Sequence, residues 1–152
     1  MDSFAATVFS ITGIPVLLSW ACLIFFPHLS LTAKVFKTPL VPLFFAALYS
    51  SIIVPVLIFN PESLSQIAQP TLPGIQQLLS TPVGATAGWI HFLSFDLFIG
   101  RMCWQKAKES GFSFWWVSPV LVLVLMLAPL GWLIFEGVSF ALNRKKLSTS
   151  AA

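Results

Sequence analysis

Charged side chains are scarce in this sequence. Only 9% of its 152 residues are Asp, Glu, Lys or Arg, and 57% are hydrophobic, whereas soluble domains carry about 25% charged residues. A chain of this length is mostly surface when it folds in water, and so few charges do not cover that surface. The composition excludes an ordinary soluble globule and indicates that lipid forms part of the solvent.

Other features are missing as well. The two cysteines, Cys22 and Cys103, have no metal-ligand spacing and give no disulfide framework, so we expect packing thiols. The opening residues Met1-Asp2-Ser3 contain no Lys or Arg, so we expect no secretory signal or transit peptide. The basic residues cluster at the ends of apolar runs, which favours membrane lipid as a partner and argues against nucleic acid.

What the sequence does contain is long apolar runs. A helix needs about 20 apolar residues to cross the hydrocarbon core. We predict spans at about residues 4–26, 39–59, 82–104 and 118–142, with the longest extramembrane connection at 60–81. Pro15 and Pro55 lie inside runs and predict kinks. The sequence therefore predicts an all-α integral membrane protein, a single membrane domain over residues 1–152 built as a four-transmembrane-helix bundle with proline-kinked spans.

The connections carry weaker signals. Residues 28–38 predict an interfacial turn, and Ile75–Leu79 predict a short surface helix. Gly84 and Gly88 form a small-xxx-small spacing that lets another backbone approach closely. With four spans, the basic residues divide into Lys34, Lys37, Arg101, Lys106 and Lys108 on one side and Arg144, Lys145 and Lys146 on the other. That weak bias leaves the orientation in the membrane open.

The third run holds three ionisable residues, which are costly inside a membrane. Counted from Pro82 at about 1.5 Å per residue, His91 lies about 14 Å along the helix and Asp96 about 21 Å. Arg101 is close enough to the end to extend to the headgroups, but Asp96 is not. On a regular helix His91 and Asp96 point about 140° apart, so any acid–base pairing must reach across helices.

Each of these residues also has a structural interpretation. Asp96 can tie helices together by bonding to Tyr49, Ser50, Ser51 or a tryptophan N–H, and this role has about the same weight as a functional one. A hydrogen bond from His91 to a backbone carbonyl freed by a proline is the favoured interpretation of that residue. Arg101 is most simply an interfacial anchor.

A family resemblance rests on this segment and on a later one. The string from Trp89-Ile90-His91 through Phe95-Asp96-Leu97-Phe98 to Arg101, followed by Pro129-Leu130-Gly131, resembles the abscisic acid-deficient protein 4 family, also called neoxanthin-synthase-like. The resemblance implies a four-helix membrane protein. Plant members act in plastids and form neoxanthin from violaxanthin, and distant members occur in bacteria and algae. It implies a thylakoid or plastid membrane, or a bacterial inner membrane, as the location.

The implied chemistry is a carotenoid epoxide isomerisation that needs one acid, one base and no cofactor. Asp96 and His91 are the candidate catalytic acid and base, and Tyr49 or Glu136 is a candidate for a missing partner. The candidate ligand-binding residues for a carotenoid are Trp89, Ser94, Phe98, Arg101, Tyr49 and Trp132.

Two other classes of function stay open. The first is a non-catalytic subunit of a photosynthetic membrane complex that binds carotenoid or chlorophyll, with His91 as a magnesium ligand and other complex subunits as partners. The second is a small proton-coupled carrier based on the kinked helices and Asp96. The carrier has thinner support, because the sequence shows no internal repeat.

Overall fold

The computed structural model describes residues 2–60, 62 and 68–150, with residues 145–150 described by their backbone only. These residues form α-helices and no β-strand. In chain order the helices are α1 (Asp2–Phe25), α2 (Ser30–Phe36), α3 (Leu40–Phe59), α4 (Leu72–Leu79), α5 (Pro82–Glu109), α6 (Phe114–Met126) and α7 (Ala128–Ser150). The predicted all-α class is confirmed.

Three of the described helices, α1, α3 and α5, are long and apolar enough to cross a membrane. They coincide with the first three predicted spans, although α5 continues to Glu109, beyond the predicted end at residue 104. Pro15 and Pro55 lie inside α1 and α3, and both helices continue through them. The protein is therefore a helical membrane protein with three candidate crossings.

The fourth predicted span, 118–142, is divided into two helices. Leu127, between α6 and α7, has φ −147° and ψ 68°, which is not a helical conformation. Pro129 follows in the first turn of α7, where the missing N–H of a proline costs little. Because α6 has only 13 residues, the four-span bundle is not confirmed.

Helices α6 and α7 pack side by side in opposite directions. Trp116 near the start of α6 stacks on Phe135 of α7, with ring centroids 5.6 Å apart. In one continuous helix these two residues would lie about 28 Å apart. Nearer the turn, the Gly131 backbone lies so close to Val124 that an added Cβ would overlap the Val124 backbone. The two helices therefore form a hairpin with its turn at Leu127, which we call the α6–α7 hairpin.

The chain divides into two compact units. The first unit comprises the described residues of segments 1–18 and 40–95, and the second those of segments 19–39 and 96–152. Phe45, Ile52 and Ile90 are fully buried in the first unit. In the second unit the largest fully buried side chains are Trp20, Leu23, Phe36, Leu97, Leu121 and Phe135. The single membrane domain stays a prediction.

The connections are more ordered than the sequence suggests. Where an interfacial turn is predicted, α2 forms, and its Thr32 hydroxyl donates to the Phe26 carbonyl at 2.7 Å. The predicted surface helix is confirmed as α4, whose N-cap Thr71 accepts a hydrogen bond from the Gly74 N–H. Both cysteines are free thiols, and Cys103 is buried.

Candidate functional site

The first unit contains a cavity of about 680 Å³. Its walls come from the second half of α3, from α4 and from the first turns of α5, and Asp2 at the start of α1 completes it. The lining is mostly apolar, with Ile53, Val56 and Leu78 among its side chains. Small-molecule sites in proteins have this size and this mixture of apolar walls with a few polar groups.

Two polar aromatic residues lie at the inner end of this cavity. Tyr49 and His91 both line it, and their rings meet edge to face with centroids 5.5 Å apart. His91 lies about 14 Å along α5 from Pro82, and Tyr49 about 15 Å along α3 from Phe59, so the two residues share the same depth. The ring of Phe95 also packs against the imidazole, at a centroid distance of 4.9 Å.

The imidazole of His91 is accessible to a ligand. The residue is solvent-accessible, and within the first unit none of the described residues forms a hydrogen bond with its side chain. The favoured interpretation from the sequence, a hydrogen bond to a backbone carbonyl, is therefore not found among these residues. Since a neutral imidazole has one donor and one acceptor nitrogen, His91 can both give and take a proton in the cavity.

Helix α4 covers one side of the cavity. A Cβ on Gly84 would overlap the carbonyl of Leu78, and a Cβ on Gly88 would lie 3.1 Å from the Leu79 side chain. The small-xxx-small spacing therefore does bring a second backbone close to α5. That backbone belongs to the short connecting helix α4 of the same unit, which meets Gly84 through the Leu78 carbonyl and Gly88 through the Leu79 side chain.

Polar groups surround the ends of the helices that form the cavity. Asp2, Asn60, Gln77 and Thr81 all line it, at or near the ends of their helices. Sequence reasoning did not select these residues as site candidates. Asp2, Asn60 and Thr81 each lie within two residues of the end of an apolar run, where a polar residue is ordinarily attributed to the interface. Gln77 lies in the short connecting helix α4.

Two predicted site residues of the first unit make packing contacts. The Ser94 hydroxyl donates to the Pro42 carbonyl at 3.1 Å and so fastens α5 to the beginning of α3. Trp89 is 45% exposed and packs on Phe9, with ring centroids 6.0 Å apart. Neither residue is among those that line the cavity.

The other predicted site residues belong to the second unit. Asp96 is partly buried, and no described side chain of its unit forms a hydrogen bond or ion pair with its carboxylate. Of its proposed partners in helix packing, Ser50 and Ser51 donate to Ala46 and Leu48 within their own helix. Phe98 is 40% exposed.

Arg101 has a structural task. Its Nε donates to the Phe36 and Thr38 carbonyls at 2.9 and 3.1 Å, and its Nη2 donates to the Lys37 carbonyl at 2.9 Å. Carbonyls at the C-terminus of a helix have no partner within the helix, and a cation there also meets the negative end of the helix dipole. Arg101 therefore holds the end of α2.

A second, smaller cavity of about 260 Å³ lies in the second unit. Trp132 lines it together with Cys103, Lys106 and Glu136. Lys106 and Glu136 form an ion pair at 2.5 Å. The two charges on the wall of this cavity neutralise each other, which is more typical of a structural ion pair than of a binding site for an apolar ligand. Among the residues that the structure describes, no group of three or more His, Cys, Asp or Glu side chains comes together as a metal site.

These observations define the class of the protein: a helical membrane protein with an apolar cavity that ends at an accessible histidine and a tyrosine. The chain matches the model of the ABA DEFICIENT 4-like family over residues 7–135 and belongs to this family. The resemblance found in the sequence is thus confirmed, and membership indicates a role related to carotenoids or xanthophylls. No curated protein and no solved structure matches the chain.

Proposed function

We propose that this protein is a cofactor-free carotenoid isomerase that converts an epoxy-xanthophyll of the violaxanthin type into an allenic xanthophyll of the neoxanthin type. The observation that carries the proposal is the convergence of Tyr49 and His91 at the inner end of the 680 Å³ cavity. Family membership supports the xanthophyll as substrate class. The proposal does not depend on the number of membrane crossings, because α3, α4 and α5 build the cavity.

The cavity suits a ring-shaped, mostly apolar end group. Its walls of Ile53, Val56 and Ala87 offer dispersion contacts to a methylated ring. The two polar aromatic groups at the inner end supply the few directed contacts that orient a bound ligand. The end ring of an epoxy-xanthophyll carries one epoxide oxygen, and this oxygen can accept one hydrogen bond from the Tyr49 hydroxyl.

The reaction needs one proton removed and one delivered. In our proposal the neutral His91 imidazole removes the proton from the polyene carbon next to the epoxide carbon. The electrons of that C–H bond form the new double bond of the allene, and the C–O bond breaks with its electrons remaining on oxygen. The Tyr49 hydroxyl donates to that oxygen, which becomes the alcohol. Atoms and electrons balance within the substrate, and solvent returns the proton from His91 to Tyr49.

Asp96 is the alternative acid. A carboxyl group that is protonated in an apolar environment can donate a proton to the epoxide oxygen as Tyr49 does. Asp96 belongs to the second unit and is not among the residues that line the cavity, so we assign the role of acid to Tyr49. The ligand-binding roles of Trp89, Ser94, Phe98, Arg101 and Trp132 stay predictions.

The experiment uses a pigment-producing host that accumulates violaxanthin. The full chain is expressed there, and the pigments are separated by chromatography. We expect an allenic xanthophyll from the intact protein and its loss, by about 100-fold or more, in His91→Ala and Tyr49→Phe, because proton transfer by a positioned side chain contributes about that factor. His28→Ala is the matched control, since His28 is exposed and contacts Phe114 in the second unit.

The variants separate the alternatives. Loss of product in Asp96→Asn but not in Tyr49→Phe would transfer the acid role to Asp96. Pigments that are unchanged by the intact protein, with carotenoid or chlorophyll bound to the purified chain, would contradict the isomerase and favour a pigment-binding subunit. A purified chain with neither activity nor pigment would contradict both.

The substrate also determines where the protein works. We propose a membrane that contains carotenoids, either a thylakoid or other plastid membrane or a bacterial inner membrane. The length and apolar composition of α1, α3 and α5 support the assignment of the protein to a membrane.

A further inference from the structure

We propose that the α6–α7 hairpin enters the membrane and returns to the surface from which it started, so that every Lys and Arg of the chain faces one anionic lipid surface. This inference concerns a part of the fold that the proposed isomerase site does not use. Four observations within the second unit carry it.

The first observation is the length of α6. Its 13 residues extend about 20 Å, less than the hydrocarbon core of about 30 Å. The break at Leu127 then ends the helix before it has crossed. A chain that stops inside lipid must satisfy its backbone groups, and the start of α7 supplies a partner: the Gly131 N–H donates to the Leu127 carbonyl at 3.0 Å.

The second observation is the direction of α7. Glu136 pairs with Lys106 near the C-terminal end of α5, and Trp132 lines the small cavity with Met102 and Cys103, about one turn before Lys106 in α5. Because α6 and α7 run in opposite directions on either side of Leu127, α7 runs back towards the level at which α6 begins, and the Glu136–Lys106 pair places it beside the C-terminal part of α5. Since α6 begins just after Glu109, α7 returns to the surface where α6 began.

The third observation is the surface of the hairpin. Its outer side chains are apolar and exposed: Met126 by 70%, Leu127 by 56% and Leu133 by 69%. The residues from 114 to 135 include no charged side chain. Glu136, the first charge after the turn, is paired with Lys106. Such a surface is suited to lipid rather than water.

The fourth observation is the distribution of cations. All eight Lys and Arg residues of the sequence belong to the second unit. Arg144 lies about 24 Å along α7 from Ala128, slightly more than the length of α6, so Arg144 and the Lys145 and Lys146 backbone positions emerge where α6 starts. The remaining five are Lys34, Lys37, Arg101, Lys106 and Lys108.

This arrangement removes a conflict in the sequence. Four straight spans divide the basic residues five to three between the two surfaces, but the hairpin puts all eight on one side. Arg101 and Lys106 are bound to α2 and to Glu136, and Lys108 and Arg144 lie over the rings of Trp104 and Phe140. A cluster of cations beside membrane-inserted helices is typical of the cytoplasmic side and of binding to anionic headgroups.

Reporters at the two chain ends test the topology. Green fluorescent protein or alkaline phosphatase is fused to the N-terminus or the C-terminus of the full chain in a bacterial host. Three crossings and a re-entrant hairpin place the termini on opposite sides, with a fluorescent, phosphatase-negative C-terminus inside. Both termini on the same side would mean four crossings and would overturn the proposal. A C-terminus outside with the N-terminus inside would contradict the proposal that the Lys and Arg residues face the anionic lipid surface on the cytoplasmic side.

Lipid binding tests the surface itself. The detergent-solubilised full chain is titrated with labelled phosphatidylglycerol, with phosphatidylcholine of equal chain length, and with inorganic phosphate. We expect binding of phosphatidylglycerol alone, weakened by about fivefold for each of Arg144→Gln, Lys145→Gln and Lys146→Gln. The matched control is Arg144→Lys, which keeps the positive charge at that position and is expected to change the affinity least. Equal binding of the two lipids, or a response to phosphate alone, would overturn the lipid surface.

Discussion

The indole ring of Trp116 stacks on the phenyl ring of Phe135, with an interplanar angle of 28°. The two residues lie on opposite sides of the break at Leu127, so this contact exists only because the chain reverses there. Both rings are apolar and large, and Phe135 is fully buried. The stack therefore fixes the α6–α7 hairpin in the second unit.

The close approach at the hairpin turn makes Gly131 sensitive to any side chain. We expect Gly131→Ala to lower the free energy of unfolding by about 1–3 kcal/mol, because the new Cβ would overlap the Val124 backbone and the two helices would have to separate. Thermal unfolding in detergent, followed by circular dichroism, measures this change.

Gly137 of the same helix is the control for Gly131. No atom lies within 4 Å of a Cβ added there, so Gly137→Ala is expected to be neutral or to stabilise α7 by up to about 1 kcal/mol. A destabilisation of equal size in both variants would contradict the hairpin contact.

The contact between α4 and α5 depends on Gly84. An alanine at this position would collide with the Leu78 carbonyl, which belongs to backbone and cannot rotate away. We expect Gly84→Ala to detach α4 from the cavity and to increase limited proteolysis of α4 by about tenfold or more.

Gly88→Ala provides the comparison in the same pair of helices. Its nearest neighbour is the end of the Leu79 side chain at 3.1 Å, and a flexible side chain can move. The proteolysis rate should therefore change much less. If Gly84→Ala leaves the rate unchanged, α4 does not depend on the glycine contact.

The three hydrogen bonds of Arg101 predict a stability effect that is independent of catalysis. Arg101→Gln should lower the free energy of unfolding by about 1.5–3 kcal/mol, because it removes charge-assisted bonds to the carbonyls at the end of α2. Arg101→Lys should restore only part of this loss, since an ammonium lacks the planar fork. Lys37→Gln, at an exposed side chain, should have little effect on chemical denaturation.

Trp104 predicts a contrast between two tryptophans. Its buried indole N–H donates to the Pro27 carbonyl at 3.1 Å, so Trp104→Phe leaves a buried acceptor without its partner and should cost about 1–3 kcal/mol. Trp115 is 92% exposed, and Trp115→Phe should change stability by less than about 0.5 kcal/mol. Equal effects in thermal unfolding would show that the Pro27 bond contributes nothing.

Local patterns predicted the helices well where one physical rule dominates. The lipid core demands about 20 apolar residues per crossing, and the runs at 4–26, 39–59 and 82–104 therefore correspond to α1, α3 and α5. The fourth run satisfied the same rule, yet it folds back at Leu127. Apolar composition is the same for a crossing helix and for a hairpin inside lipid, so hydropathy does not distinguish them.

The local sequence likewise identified only part of the candidate site. The family motif and the cost of intramembrane charge both selected His91 and Asp96, and His91 does line the cavity. Tyr49 was named as one of several partners, but nothing local assigned it to His91 rather than to Asp96. Asn60 and Gln77 were missed, because a polar residue at the end of an apolar run or in a connecting helix has the same local sequence whether it meets water or a cavity.

The sequence alone determined that lipid surrounds part of this protein, that the protein is helical, and which family it belongs to. Those properties follow from composition, from runs of apolar residues and from a spaced motif, all of which are local. Only the tertiary structure decided that Tyr49 meets His91, that α4 covers Gly84 and that Glu136 pairs with Lys106. The physical reason is that the first and third contacts join residues far apart in the chain, and the second depends on how the chain turns between α4 and α5, which local composition does not specify.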